Sequence, residues 1–109
     1  MPQSTFVAEG RQIDYTPAAA VAVGDVIVQG DLVGVATRSL AASELGSLIV
    51  EGVFDFNKLT NVAFTVGTIL YWDDTNNVVT ATATGNKSLG KVIRAAATTD
   101  TTVRIRLSQ

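Results

Sequence analysis

The side chains best suited to chemistry gather between Thr65 and Arg94, TVGTILYWDDTNNVVTATATGNKSLGKVIR. This stretch holds the single tryptophan, Trp72, an acidic run Asp73-Asp74-Thr75-Asn76-Asn77, and a Gly85-Asn86-Lys87-Ser88 turn. Calcium takes several oxygen ligands close together, which the acidic run offers. The run lacks the spacing, the glycine and the terminal glutamate of an EF-hand, and Asp and Asn are also the ordinary residues of tight turns. A solvated turn is therefore preferred, and no metal is assigned. A phosphate loop needs Lys directly after a Gly, with a second Gly at fixed spacing upstream and a helix to follow. Here Asn86 intervenes, Thr80 stands where the upstream Gly belongs, and no helical pattern follows. ATP binding is rejected.

Other catalytic arrangements fail on composition. The chain has no histidine, which removes the nucleophile–histidine–carboxylate triad. It has no cysteine, which removes thiol nucleophiles, thiolate zinc sites and disulfides, and leaves the compartment open on redox grounds. Ser88 lies near Lys87 and Lys91, but a Ser-Lys pair needs a desolvated lysine and nothing in the sequence indicates one. Glycosidase-type work would draw on Glu51, Asp55, Asp73 or Asp74, and requires one carboxyl in an apolar pocket that no pattern here marks. Trp72 suits stacking on a sugar, although a lone Trp closing a strand more often serves a core or an interface. No catalytic or cofactor-binding residue is assigned, and the expectation is a protein that is not an enzyme.

Charge and hydropathy narrow the partners. Eight basic against ten acidic residues give a net charge of −2, with no case for a phosphate-binding surface, so nucleic acid is not expected. The longest apolar run, Ala18 to Val23, is far too short to span a bilayer, and the N-terminus lacks the basic and apolar regions of a signal peptide. A soluble protein with no membrane partner is expected.

The elements that must position these residues read as strands. A chain of 109 residues is the size of one domain. Its hydrophobic fraction of 47% includes only 6% aromatics, which predicts a thin core of β-branched side chains. Alternating or short apolar runs occupy Gln12–Tyr15, Ala20–Val23, Val26–Val28, Leu32–Thr37, Ser47–Phe54, Thr68–Trp72, Val78–Ala83, Leu89–Ala95 and Thr102–Leu107, separated by Gly, Asp and Asn turns. In the last, Val103, Ile105 and Leu107 face one way, and Thr102, Arg104 and Arg106 the other. Gly52 interrupts Val50–Phe56, with Phe54 and Phe56 on one face and Val53 on the other, and marks a bulge or close backbone approach. Arg38–Gly46 and Asn57–Ala63 admit a helical turn each. The fold class is all-β: a single small β-barrel or sandwich of short antiparallel strands, with at most one or two helical turns. Residues 1–11 read as an extended N-terminal arm and 12–109 as the β domain. Ala22–Arg38 (AVGDVIVQGDLVGVATR) echoes Thr65–Arg94: each passes from Val-Gly through an apolar triplet and a turn to a later strand closed by Arg.

A family resemblance enters at Gly34-Val35-Ala36, Glu51-Gly52-Val53-Phe54, Leu70-Tyr71-Trp72-Asp73, Thr82-Ala83-Thr84-Gly85-Asn86 with Leu89-Gly90, and the closing Thr102–Leu107. In this order and across roughly residues 12 to 107 they resemble the DUF2190 family of small tailed-phage capsid cement or decoration proteins. The resemblance implies a non-enzymatic protein on the exterior of a phage or prophage head, made in the bacterial host cytoplasm. It would bind the major capsid protein, stabilise the shell against internal DNA pressure, and act as a homotrimer or dimer. No cofactor is implied. Phe6 and Val7 of the arm, together with Trp72, Arg104 and Arg106, are the candidate contacts with the capsid or with other copies, and sheet edges near either terminus are natural sites for strand addition. The rival reading, from a different class, is a soluble carbohydrate-binding or adhesin-type β module using Trp72 and the Asp73–Asn77 turn.

Overall fold

Strict alternation over Thr102–Leu107 dictates a strand with one wet and one dry face, and the computed structural model, which describes residues 3–109, places Val103, Ile105 and Leu107 in the core with Arg104 and Arg106 outside. The same rule builds the other strands. In chain order the described residues form β1 (Gln12–Tyr15), β2 (Val26–Gln29), β3 (Leu32–Ala36), β4 (Gly46–Ile49), β5 (Gly52–Asn57), β6 (Ile69–Asp73), β7 (Val78–Thr80), β8 (Lys87–Arg94) and β9 (Thr102–Leu107). They pair antiparallel in two sheets, ordered β1-β4-β3-β2 and β5-β9-β8-β6-β7. Of the two architectures open to the sequence, the fold is the sandwich. The second sheet curls until Cα atoms of β5 and β7 come within 8 Å, yet those edges do not pair, so no barrel closes.

The shared core lies mostly against the second sheet. Phe56, Leu70, Trp72, Val79, Leu89, Val92, Val103, Ile105 and Leu107 are buried there, and Val33 and Val35 of β3 pack on them from the first sheet. Each such side chain contributes about 1.5–3 kcal/mol by leaving water. Phe54 and Phe56, two apart on β5, meet edge to face at 5.9 Å, and Phe56 meets Trp72 at 6.1 Å, so three of the seven aromatics cluster in one place.

Several expectations change. The apolar run Ser47–Phe54 is two strands in different sheets, because the chain turns at Gly52 (φ +154°), a conformation that excludes most side chains. Ala20–Val23 forms only a bridge from Val21 to Leu40. That bridge also takes Leu40 away from any helix in 38–46, and Ser43 at φ +65° breaks the segment again. Asn61 at φ +67° does the same to 57–63, so neither stretch makes a helical turn. The C-terminal strand β9 lies inside its sheet, hydrogen-bonded to β5 and β8, and offers no free edge; β1, near the N-terminus, does.

The sequence echo is a repeat in the hydrogen bonding. Around Gly24 (φ +86°), Gly24 N donates to Ala36 O, Asp25 N to Ala22 O and Ala36 N to Asp25 O; around Gly67 (φ +90°), Gly67 N donates to Val92 O, Thr68 N to Thr65 O and Val92 N to Thr68 O. The Val21–Leu40 bridge recurs as Phe64–Ala96. Beyond it, Ala41 N donates to the Glu44 carboxylate and Glu44 N to Ala41 O, just as Ala97 N and Asp100 do. The strand order follows: β1-β4-β3-β2 matches β5-β9-β8-β6, with β7 as the extra strand. The chain is one four-stranded unit built twice.

Candidate functional site

Pairing and alternation together compose the outer face of the second sheet. Across β5, β9, β8 and β6 one row runs Val53, Arg106, Lys91, Ile69; a second runs Asp55, Arg104, Arg94. The register of β8 on β9 shifts between Val92 and Arg94, so alternation breaks there and both Ile93 and Arg94 stay exposed. Lys91 faces Arg106 directly, and Arg94 faces Arg104. Like charges opposite each other across strands are destabilising.

Two carboxylates relieve part of this. Arg104 donates from Nε and Nη2 to the two oxygens of Asp55 at 3.0 and 3.2 Å, and Arg106 Nη2 stands 3.9 Å from Glu51 Oε1. The hydrogen bond from Arg104 holds the Asp55 carboxyl below its ordinary value against the opposing effect of desolvation, with the charges of Arg104 and Arg94 adding to the lowering. Asp55 in turn raises Arg104 further. Among the described residues no carboxylate pairs with Lys91 or Arg94. The face therefore has surplus positive charge, and exposed Val53, Ile69, Ile93 and Val66 give it apolar surface as well.

The structure separates the residues singled out from the sequence. Arg104 and Arg106 share the face just described. Phe6 and Val7 lie on the N-terminal segment, in no strand, with 82% and 90% of their surface exposed. Trp72 is different. It is 4% exposed, its ring is packed in the core, and its Nε1 donates to Asp74 Oδ1 at 3.1 Å, so it has little surface for a partner or a sugar. Of the Asp73–Asn77 turn, Asp73 Oδ1 accepts from the amides of Thr75 and Asn76, and Oδ2 from the Asn76 side chain at 2.8 Å. Those bonds, the Asn76 side chain's foremost, lower the Asp73 carboxyl. Lys87 pairs with Asp31 at 2.7 Å, which ties the start of β8 to the β2–β3 turn.

Sequence reasoning missed Lys91, Arg94, Ile69 and Ile93. Alternation within Lys87–Arg94 marks Lys91 as outward, but only the bulge exposes Ile93 and Arg94 together. It also missed two clips. Lys58, 5% exposed, donates from Nζ to the carbonyls of Leu59, Ala97 and Asp100 at 2.9, 3.2 and 2.7 Å. Gln109 closes both backbone groups of Val33 with its side-chain amide, at 2.7 and 2.5 Å, and so joins the C-terminus to the first sheet.

Comparison with curated proteins and with solved structures finds no match. A family model described as phage cement protein matches residues 7–107, which takes in Val7, both sheets and every strand. With nearly the whole length covered, this two-sheet chain belongs to the phage cement protein family.

Proposed function

We propose that this chain binds the outer surface of a phage head through the major capsid protein and stabilises the shell, as a homotrimer and without catalysis. The observation that carries this reading is the family match over residues 7–107. The geometry supports it in two ways. The twin four-stranded units make a small body around one shared apolar core. The outer face of the second sheet, with Arg104, Arg106 and the apolar side chains between them, offers a broad contact of the kind protein interfaces use, where arginine is enriched. Phe6 and Val7 add a second contact for the shell or for another copy. The carbohydrate reading loses its stacking surface with Trp72 buried.

The test is addition of the purified protein to heads that lack it. Saturable binding to expanded heads, with a rise in their resistance to heat or chelator, is the expected result. Occupancy near zero with unchanged resistance overturns the proposal.

A further inference from the structure

The outer face of the second sheet contains a groove of about 460 Å³, walled by Val66, Ile69 and Ile93, floored by backbone at Gly67 and rimmed by Lys91 and Arg106. Nothing within the described chain fills it. Its walls remain open to solvent, Val66 at 65%, Ile69 at 51% and Ile93 at 44% exposure, and the two cations face each other across β8 and β9. Natural sequences agree with themselves locally, and a local conflict retained on a surface marks a place that serves a contact. What is missing is an apolar segment carrying negative charge.

The chain holds such a segment. Among the described residues Phe6 and Val7 are the two most exposed large hydrophobic side chains, and Glu9 follows two positions after Val7. At 82% and 90% exposure neither sits in its own groove. We propose that the arm, residues 4–9, of one copy docks in the groove of a second copy, with Phe6 and Val7 against Val66, Ile69 and Ile93, and Glu9 against Lys91 and Arg106. The arm and groove are different surfaces, so the contact is heterologous: passed one way around an axis it closes a ring. This rests on the self-association proposed above, and it takes Arg106 and the apolar groove out of the shell contact. It leaves Arg94 and Arg104, on the neighbouring row, free of the arm.

The absence of cysteine makes the test direct. A nitroxide on Ser4→Cys labels the arm of unlabelled-isotope protein, which is mixed with ¹⁵N wild-type protein carrying no nitroxide. The expected result is loss of amide signal between molecules at Gly67, Ile69, Lys91 and Ile93. Phe6→Ser with Val7→Ser abolishes that loss and shifts the association midpoint by light scattering at least tenfold, on the order of an anchor residue's worth. Glu9→Lys weakens association about threefold, as a rim ion pair does, and Lys91→Glu in the partner restores it. These residues lie outside the core, so circular dichroism stays that of the wild type. Association with signal loss elsewhere, or none, overturns the arm–groove contact alone. A monomer at every concentration overturns the self-association it rests on, while the head-binding assay stands apart from both.

Discussion

Lys58 holds the loops after β5 and before β9 together through one ammonium group and three carbonyl oxygens. A buried charge is tolerated when its donors are met, and here all three are. Lys58→Met keeps much of the volume and removes every donor, so the carbonyls of Leu59, Ala97 and Asp100 lose this partner. The expected loss is about 2 kcal/mol, read from the urea unfolding midpoint at unchanged slope. Asp55 makes the complementary case at the surface. Its carboxyl is lowered in the folded protein, first by the Arg104 hydrogen bond, so it favours the fold above the ordinary aspartate value of 3.8. That contribution is lost as pH falls through the lowered folded value. Both partners are about half exposed, so solvent screening keeps it below about 1 kcal/mol. Unfolding free energy measured from neutral to acid pH should fall less steeply in Asp55→Asn than in the wild type; parallel curves would remove Asp55 from the account.

At the scale of elements, the repeat places Gly34 of β3 and Gly90 of β8 at equivalent positions: Gly34 pairs with Ile27 of β2, and Gly90 with Leu70 of β6. Their surroundings differ. A Cβ on Gly34 would meet Leu48 Cβ at 2.9 Å and its Cδ1 at 3.1 Å, whereas a Cβ on Gly90 would collide with the Arg106 carbonyl oxygen. A side chain can shift in part; a paired backbone cannot shift without moving β9. Gly90→Ala should therefore cost more than Gly34→Ala, about 3 kcal/mol against about 1–2 kcal/mol on the scale of overpacking, in parallel denaturation curves. Strands with alternation and turns at both ends, such as Gln12–Tyr15 and Thr102–Leu107, were legible from residue types alone. The break between β4 and β5 was not, because Val50 continues the apolar pattern and only the backbone at Gly52 redirects the chain. The helical propensity of 38–46 lost to the long-range pairing of Leu40 with Val21. For the site, the outward arginines of β9 were legible by period, while Lys91 and Arg94 needed the pairing of β8 to become neighbours. For Trp72 the sequence left core and contact roles open; the fold buries its ring, and Asp74 accepts the hydrogen bond from its indole nitrogen.

For the whole molecule, the twice-built topology does not imply two equal halves. The shared core draws Phe56, Leu70, Trp72, Val79, Leu89, Val92, Val103, Ile105 and Leu107 from the second sheet, but only Val33 and Val35 as fully buried members from the first. β9 is paired on both sides and its inward residues are almost wholly buried, whereas β1 is an edge strand whose residues are all at least partly exposed. Local openings follow such differences, since segments with few buried apolar contacts open at less free energy than the globule. The first sheet is bound to the second through Val33 and Val35 in the core, through the Gln109 clip and through Lys87–Asp31. Native-state hydrogen exchange should then rank the amides. Those of β8 and β9 that bond across the sheet should exchange only with global unfolding, and those of β1 by openings several-fold less costly. Gln109→Ala should speed exchange at Val33 selectively, because its amide loses the acceptor on Gln109, and leave Ile105 unchanged at equal global stability. Equal protection in β1 and β9 would mean that the two units unfold as one block, and that the small overlap at β3 couples them more tightly than its buried area implies.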